Sequence, residues 1–262
     1  MQRSRAVMRT SGVDAPEYRS RYNEGQREHP KGGPMDADFP PDFDAATIDV
    51  CRSVRPFTMT SPERIYCLCR SVEYVVDHAI PGDIVECGVW KGGSMMAVAH
   101  TLLKKGARRK LYLFDTYEGM PEPTDVDISF TGQLASAALA TEDRATSWVW
   151  AVSPLDEVRR NVLGTGYDRE HVVFVQGKVE HTVPERAPQR IALLRLDTDW
   201  YESTYHELVH LYPRLSPGGV LIIDDYGHWR GARRAVDRFL AEHRPALLLH
   251  RIDYTGRIGV KP

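Results

Sequence analysis

Two sets of acids, each at the end of a short apolar run, carry the chemistry in this sequence. The first lies around Asp83-Ile84-Val85-Glu86-Cys87-Gly88-Val89-Trp90-Lys91-Gly92-Gly93-Ser94, which passes from an apolar run through a glycine-rich bend into a helical pattern. Gly88 permits close backbone approach, and Gly92-Gly93 permit a tight turn into the helix. The stretch has neither the G-x-G-x-x-G dinucleotide signature nor the Gly-Lys-Ser/Thr ending of a phosphate loop. Glu86 is placed to meet a cationic amine, and Asp115, ending the next run, to accept hydrogen bonds from both hydroxyls of a ribose. A sulfonium cofactor is positively charged and carries no pyrophosphate, so acids suit it better than an anion-binding nest. These residues therefore point to S-adenosylmethionine and to methyl transfer rather than hydride transfer.

The second set is Leu194-Arg195-Leu196-Asp197-Thr198-Asp199-Trp200 and Gly219-Val220-Leu221-Ile222-Ile223-Asp224-Asp225-Tyr226. If these runs are neighbouring parallel strands, Asp197, Asp224 and Asp225 converge on one carboxyl edge. Three carboxylates there repel one another unless they are protonated or neutralised by a cation. Ligation by oxygen alone favours a hard ion, Mg²⁺ first, with Ca²⁺ or Mn²⁺ as substitutes. The plain alternative is that these aspartates end strands and cap helices. Asp199 faces differently from Asp197 and also suits a helix cap. His228 is a further polar candidate nearby, with a hydrogen-bonded structural role as its alternative. The candidate catalytic groups are thus Asp197, Asp199 and His228.

These acids must be held by an alternation of strands and helices. Strands are predicted at 84–89, 110–115, 171–176, 191–197 and 219–224, with a final pair at 247–252 and 256–260. Helices are predicted at 94–105, 154–162, 201–215 and 232–243, and an earlier one starts near Thr60-Ser61-Pro62-Glu63. Nearly continuous apolar runs flanked by helices describe buried parallel strands. The fold class is α/β, a doubly wound, mostly parallel sheet with helices on both faces. Residues 1–45 are polar and aperiodic and read as an irregular N-terminal arm, leaving 46–262 as a single domain. The 55 residues between Asp115 and His171 exceed an ordinary connection, begin at a strand end and suggest a lid or wall over a site.

A formal net charge of -2 argues against a nucleic-acid partner. No apolar run is long enough to span a bilayer, so no membrane partner is expected. The four cysteines, Cys51, Cys67, Cys69 and Cys87, are too few for a disulfide scaffold and fit reduced thiols in a cytoplasmic protein.

From about Arg64 to Leu240 the sequence resembles the macrocin O-methyltransferase family of antibiotic tailoring enzymes. The resemblance rests on Glu86–Ser94, Phe114-Asp115-Thr116-Tyr117-Glu118-Gly119-Met120-Pro121, Asp197–Thr204 and Asp224-Asp225-Tyr226-Gly227-His228-Trp229-Arg230-Gly231. It implies a Rossmann-like class I methyltransferase fold with a seven-stranded sheet, and S-adenosylmethionine bound through Glu86, Gly88, Ser94 and Asp115. It also implies Mg²⁺ at Asp197, Asp224 and Asp225, Asp197 as general base, and a homodimer. The acceptors it implies are deoxysugars on glycosylated macrolide or aminocoumarin natural products. The family's Asp-Gly-Asp is Asp197-Thr198-Asp199 here, a departure that keeps both acids. A catechol-type O-methyltransferase and a non-catalytic small-molecule binding protein are the competing readings.

Overall fold

The computed structural model describes residues 39–262; the arm assigned to residues 1–45 lies outside the described residues up to residue 38. The chain then forms α1 (Ala45–Val54), α2 (Pro62–Asp77), β1 (Asp83–Cys87), α3 (Gly93–Lys104), β2 (Leu111–Asp115), α4 (Ala135–Thr141), α5 (Leu155–Leu163) and β3 (Val172–Gln176). It continues through α6 (Val179–Thr182), β4 (Ile191–Leu196), α7 (Tyr201–Leu211), β5 (Leu215–Ile223), α8 (Arg230–His243), β6 (His250–Arg251) and β7 (Arg257–Val260). Helix α1 precedes the first helix expected from the sequence. Its buried stripe of Thr47, Cys51 and Val54 is short, and Asp44 caps it by accepting from the Thr47 amide.

Helix α2 follows from local rules. Ser61 caps it, Pro62 occupies its first position, and Ile65, Leu68, Cys69, Val72 and Val75 form one buried stripe.

One seven-stranded sheet runs in the order β3-β2-β1-β4-β5-β7-β6. The first five strands are mutually parallel, and β7 pairs antiparallel with β5 and β6. Alternation along each buried strand feeds two cores. Ile84, Leu111, Leu113, Leu193, Val220 and Ile222 pack with residues of α1, α2, α3 and α5. Val85, Cys87, Phe114, Leu194, Leu221 and Ile223 pack with residues of α6, α7 and α8. Helices therefore cover both faces, as a parallel sheet requires. No helix among the described residues is long and apolar enough to cross a membrane.

Strand order reverses at β1 and β4, which start the two halves of the sheet from its centre. In an open α/β sheet this is where the strand-end loops part and leave room for a ligand. The carboxyl ends stay in register: Gly88 donates to the Phe114 carbonyl, Asp197 to Cys87 and Asp224 to Leu196. The ends of β2, β1, β4 and β5 accordingly share one edge.

Candidate active site

Register places a row of charged groups across that edge. Glu86 on β1 is opposite Arg195 on β4, and Arg195 is opposite Ile222 on β5. Asp197 and Asp224 follow Arg195 and Ile222 by two residues, so both fall on the same side of the sheet as Glu86. Arg195, only 2% exposed, ties the row together. Its Nη1 donates to Glu86 Oε1 at 2.7 Å and to Asp197 Oδ2 at 2.6 Å. Its Nη2 donates to Asp224 Oδ1 at 2.6 Å and to Thr60 Oγ1 at 3.0 Å. Arg64 from α2 takes the other oxygen of Asp224 and reaches Asp253 Oδ2 at 3.0 Å.

Beside the expected set of Asp197, Asp224 and Asp225, a second grouping of acids forms at this edge. Asp224 has both oxygens engaged by guanidinium groups, so it balances charge within the row. Asp225, one residue on, is directed differently, and Asp199 joins it. One carboxylate oxygen each from Asp197, Asp199 and Asp225 lies within 4.8 Å of the other two. Burial and mutual repulsion raise the carboxyls of Asp199 and Asp225 well above the ordinary range. Asp225 Oδ2 is buried with no hydrogen-bond partner among the described residues. An all-oxygen donor set whose charge is not balanced within itself fits a hard divalent cation.

The donor side stands across β1. Glu86 is fully buried, and burial pushes its carboxyl up to about 8 against the pull of Arg195. Its Oε2 is buried without a hydrogen-bond partner among the described residues. Gly88 has φ +81°, and a Cβ there would lie 1.9 Å from the Asp197 carbonyl oxygen. The close approach demanded of Gly88 is thus to the β4 end. Asp115 Oδ2 accepts from the Val89 and Trp90 amides at 2.6 and 3.1 Å, and Oδ1 accepts from the Tyr117 amide at 2.7 Å. Backbone amides thus use three of about four carboxylate lone-pair positions of Asp115, the acid expected to meet the ribose. Through these bonds Asp115 clamps the glycine bend to the end of β2. Ser94 is buried in the first turn of α3. Trp90, Tyr117 and Asp199 all adopt left-handed backbone, with φ of 47°, 56° and 65°, after β1, β2 and β4 respectively. Each such residue costs roughly 1–2 kcal/mol, and such strain gathers where function fixes the backbone.

Comparison with known proteins matches the macrocin-O-methyltransferase (TylF) family over residues 35–258. The chain belongs to this family. It is an O-methyltransferase, like the relatives that follow. It is 35% identical over 200 residues to demethyldecarbamoylnovobiocin O-methyltransferase of Streptomyces niveus, covering 76% of this chain and 73% of that one. It is 36% identical over 200 residues to 8-demethyl-8-(2,3-dimethoxy-alpha-L-rhamnosyl)-tetracenomycin-C 4'-O-methyltransferase of Streptomyces olivaceus, with the same coverage. The solved structure of the O-methyltransferase NovP matches with a TM-score of 0.68 at 34% identity, covering 78% of this chain and 82% of that chain.

Within this O-methyltransferase the departure at Thr198 has a partner. Thr198 Oγ1 donates to Glu207 Oε1 at 3.0 Å, below the loop that carries Asp197 and Asp199. Glu207 is fully buried, and burial raises its carboxyl far above the ordinary range. Arg195, Arg64, Glu207 and Asp127 were not singled out for the site from sequence. Arg195 did leave a signal, a lone charge inside the apolar run 191–196, since a charge buried there must be paired.

His228 lines a cleft with Phe130, Tyr226, Gly227, Trp229, Arg230 and Arg233. Its Nδ1 lies 3.0 Å from the Tyr254 hydroxyl. Burial, aided by Arg64, lowers its pKa to about 4, so the ring is neutral near pH 7. A lowered folded-state pKa means that the unfolded chain binds the proton more readily. The associated stability is present above about pH 6.5 and is lost as pH falls towards 4. In thermal melts between those pH values, His228→Gln should lose roughly 2–4 °C less than the parent. Parallel losses would remove His228 as a source of acid sensitivity.

Proposed function

We propose that this O-methyltransferase moves the methyl group of S-adenosylmethionine to a deoxysugar hydroxyl of a glycosylated natural product. The specific acceptor proposed is the noviose 4-hydroxyl of an aminocoumarin precursor. Mg²⁺ would be held by Asp197, Asp199 and Asp225. The observation that carries this reading is the buried row itself: through one guanidinium, the donor-side acid Glu86 is joined to Asp197, which opens the acid triad on the neighbouring strand. The tetracenomycin relative, whose name specifies a rhamnosyl group and a 4' position, supports a sugar oxygen as acceptor.

Each residue then has a distinct part. Glu86 offers its unpartnered Oε2 to the donor's ammonium group. Asp115 holds the Val89-Trp90 backbone in the shape that faces the donor. When bound, Mg²⁺ would lower the pKa of a sugar hydroxyl and fix its oxygen. Asp197 has Oδ2 held by Arg195, so its remaining oxygen is the one that serves the triad. Asp199 receives the hydroxyl proton: it belongs to the triad, and its carboxylate is free of the arginine clamp that occupies Asp197 and Asp224. His228, neutral and weakly basic, helps shape the acceptor wall with Phe130 and Tyr254. Alignment of acceptor oxygen and methyl group supplies much of the remaining acceleration.

Asp115→Asn places an amide nitrogen among backbone donors and should weaken S-adenosylhomocysteine binding by roughly tenfold, the size of one lost charged hydrogen bond. Calorimetric titration reads this, and unchanged affinity would show that the clamp is unimportant to the donor. The function itself is tested by offering glycosylated and phenolic acceptors side by side and locating the added methyl by mass spectrometry. Methylation confined to a sugar oxygen is expected. A phenolic product would establish catechol-type chemistry, and cofactor binding with no product in either series would favour a binding protein.

A further inference from the structure

The two helices that follow the acid-bearing loops lack side-chain caps of their own. Helix α7 starts after Trp200 and α8 after Trp229, and neither residue supplies a capping hydrogen bond from its side chain. An uncapped helix start leaves amides without partners. Here the partners come from consecutive residues of the long segment between β2 and α5. Asp127 Oδ1 accepts from the Tyr201 amide, the first of α7, at 2.8 Å across 74 residues of sequence. The Ile128 carbonyl accepts from the Arg230 amide, the first of α8, at 2.8 Å.

Asp127 is built into this junction. It is fully buried, and its Oδ2 accepts from the Thr124 amide at 2.7 Å and from Thr124 Oγ1 at 2.8 Å. A Cβ on Gly231 would stand 1.9 Å from Asp127 Oδ1, so the glycine in Trp229-Arg230-Gly231 makes room for this carboxylate. Neighbouring contacts point the same way. The Phe130 amide donates to the His228 carbonyl at 2.7 Å, Ser129 bridges to Trp229, and Trp200 Nε1 donates to the Pro121 carbonyl at 3.0 Å.

We propose that Asp127 is a positioning residue that latches the 116–134 segment over both helix starts, so that seating the segment fixes the Asp197–Asp199 loop and the Asp225–His228 loop together. Asp199 lies two residues before Tyr201, and Asp225 and His228 lie just before Arg230. Displacing the segment removes one capping acceptor from each helix and frees both loops at once. A site assembled in this way opens for a bulky acceptor without disturbing β1, where Glu86 and Gly88 stand. The inference rests on the acceptor-side role proposed for the acids.

Hydrogen exchange on the full chain tests it without any turnover. In Asp127→Asn and in Gly231→Ala, peptides from 116–134, 197–204 and 225–233 should exchange faster together, by about tenfold, the scale of a lost helix cap. Peptides from β1 and β4 should keep their rates, and affinity for S-adenosylhomocysteine should stay within about threefold. Thr124→Val removes only one of the bonds to Asp127, so it gives a milder variant should either of the others unfold. Its peptides should show the same joint acceleration at smaller amplitude. Faster exchange in 116–134 with unchanged rates in the two loops would overturn the coupling. Unchanged exchange throughout would overturn the latch. A parent protein that methylates no sugar yet shows joint exchange would defeat the functional reading and leave the latch standing.

Discussion

Asp199→Asn should lower kcat for sugar methylation by about 10²–10⁴-fold, the range for losing a positioned general base. Donor affinity should change by less than about threefold, since Glu86 and Asp115 lie on other strands. The substitution keeps the size of the side chain and its left-handed position, which asparagine tolerates well. It removes the group proposed to accept the acceptor's proton, along with one carboxylate oxygen of the triad. Steady-state rates at saturating Mg²⁺ separate these effects. If high metal concentration restores near-parental turnover, Asp199 is a ligand only, and the base must be sought elsewhere.

Arg195→Met should destabilise the fold by about 3–5 kcal/mol, the cost of stranding buried charges whose partner has been removed. Three carboxylates, Glu86, Asp197 and Asp224, lose a hydrogen bond from the same guanidinium, and Arg64 compensates only Asp224. Arg195→Lys keeps a positive charge but not a planar fork, so it should recover only part of the loss. Denaturant titration of the three proteins measures this series. A methionine variant as stable as the parent would mean that the row is not held by Arg195.

Much of the framework was legible because it is local. The apolar runs and their flanking caps located all seven strands and the helices α2, α3, α5, α7 and α8, with ends shifted by a few residues. Helix α1 escaped because its stripe is only three residues deep, and α4 because it lies within the long Pro- and Asp-rich interval after β2. Register across β1, β4 and β5 brings Glu86, Arg195, Asp197 and the adjoining aspartates to one edge, which the spacing of strand ends already suggested.

What could not be read was which oxygen each acid has to spare. Asp224 and Asp225 are chain neighbours, yet Asp224 meets two arginines while Asp225 lies with Asp197 and Asp199. The backbone clamp around Asp115 was equally illegible, because three amides converge on it only once β1 and β2 are paired. The cap that Asp127 lends to α7 is less visible still. It joins residues 74 apart, and no local pattern connects an aspartate in a loop to a helix start that distant.

The divalent cation proposed at Asp197, Asp199 and Asp225 is tested most directly by stripping the enzyme with a chelator and titrating Mg²⁺ back. The titration is run with S-adenosylmethionine and a glycosylated acceptor, and mass spectrometry locates the methyl. Activity should vanish on stripping and return with Mg²⁺ as one methyl on one sugar hydroxyl, while Asp225→Asn shifts the Mg²⁺ requirement upward by about tenfold or more, as loss of a charged ligand would. Undiminished sugar methylation in the stripped enzyme would contradict the account.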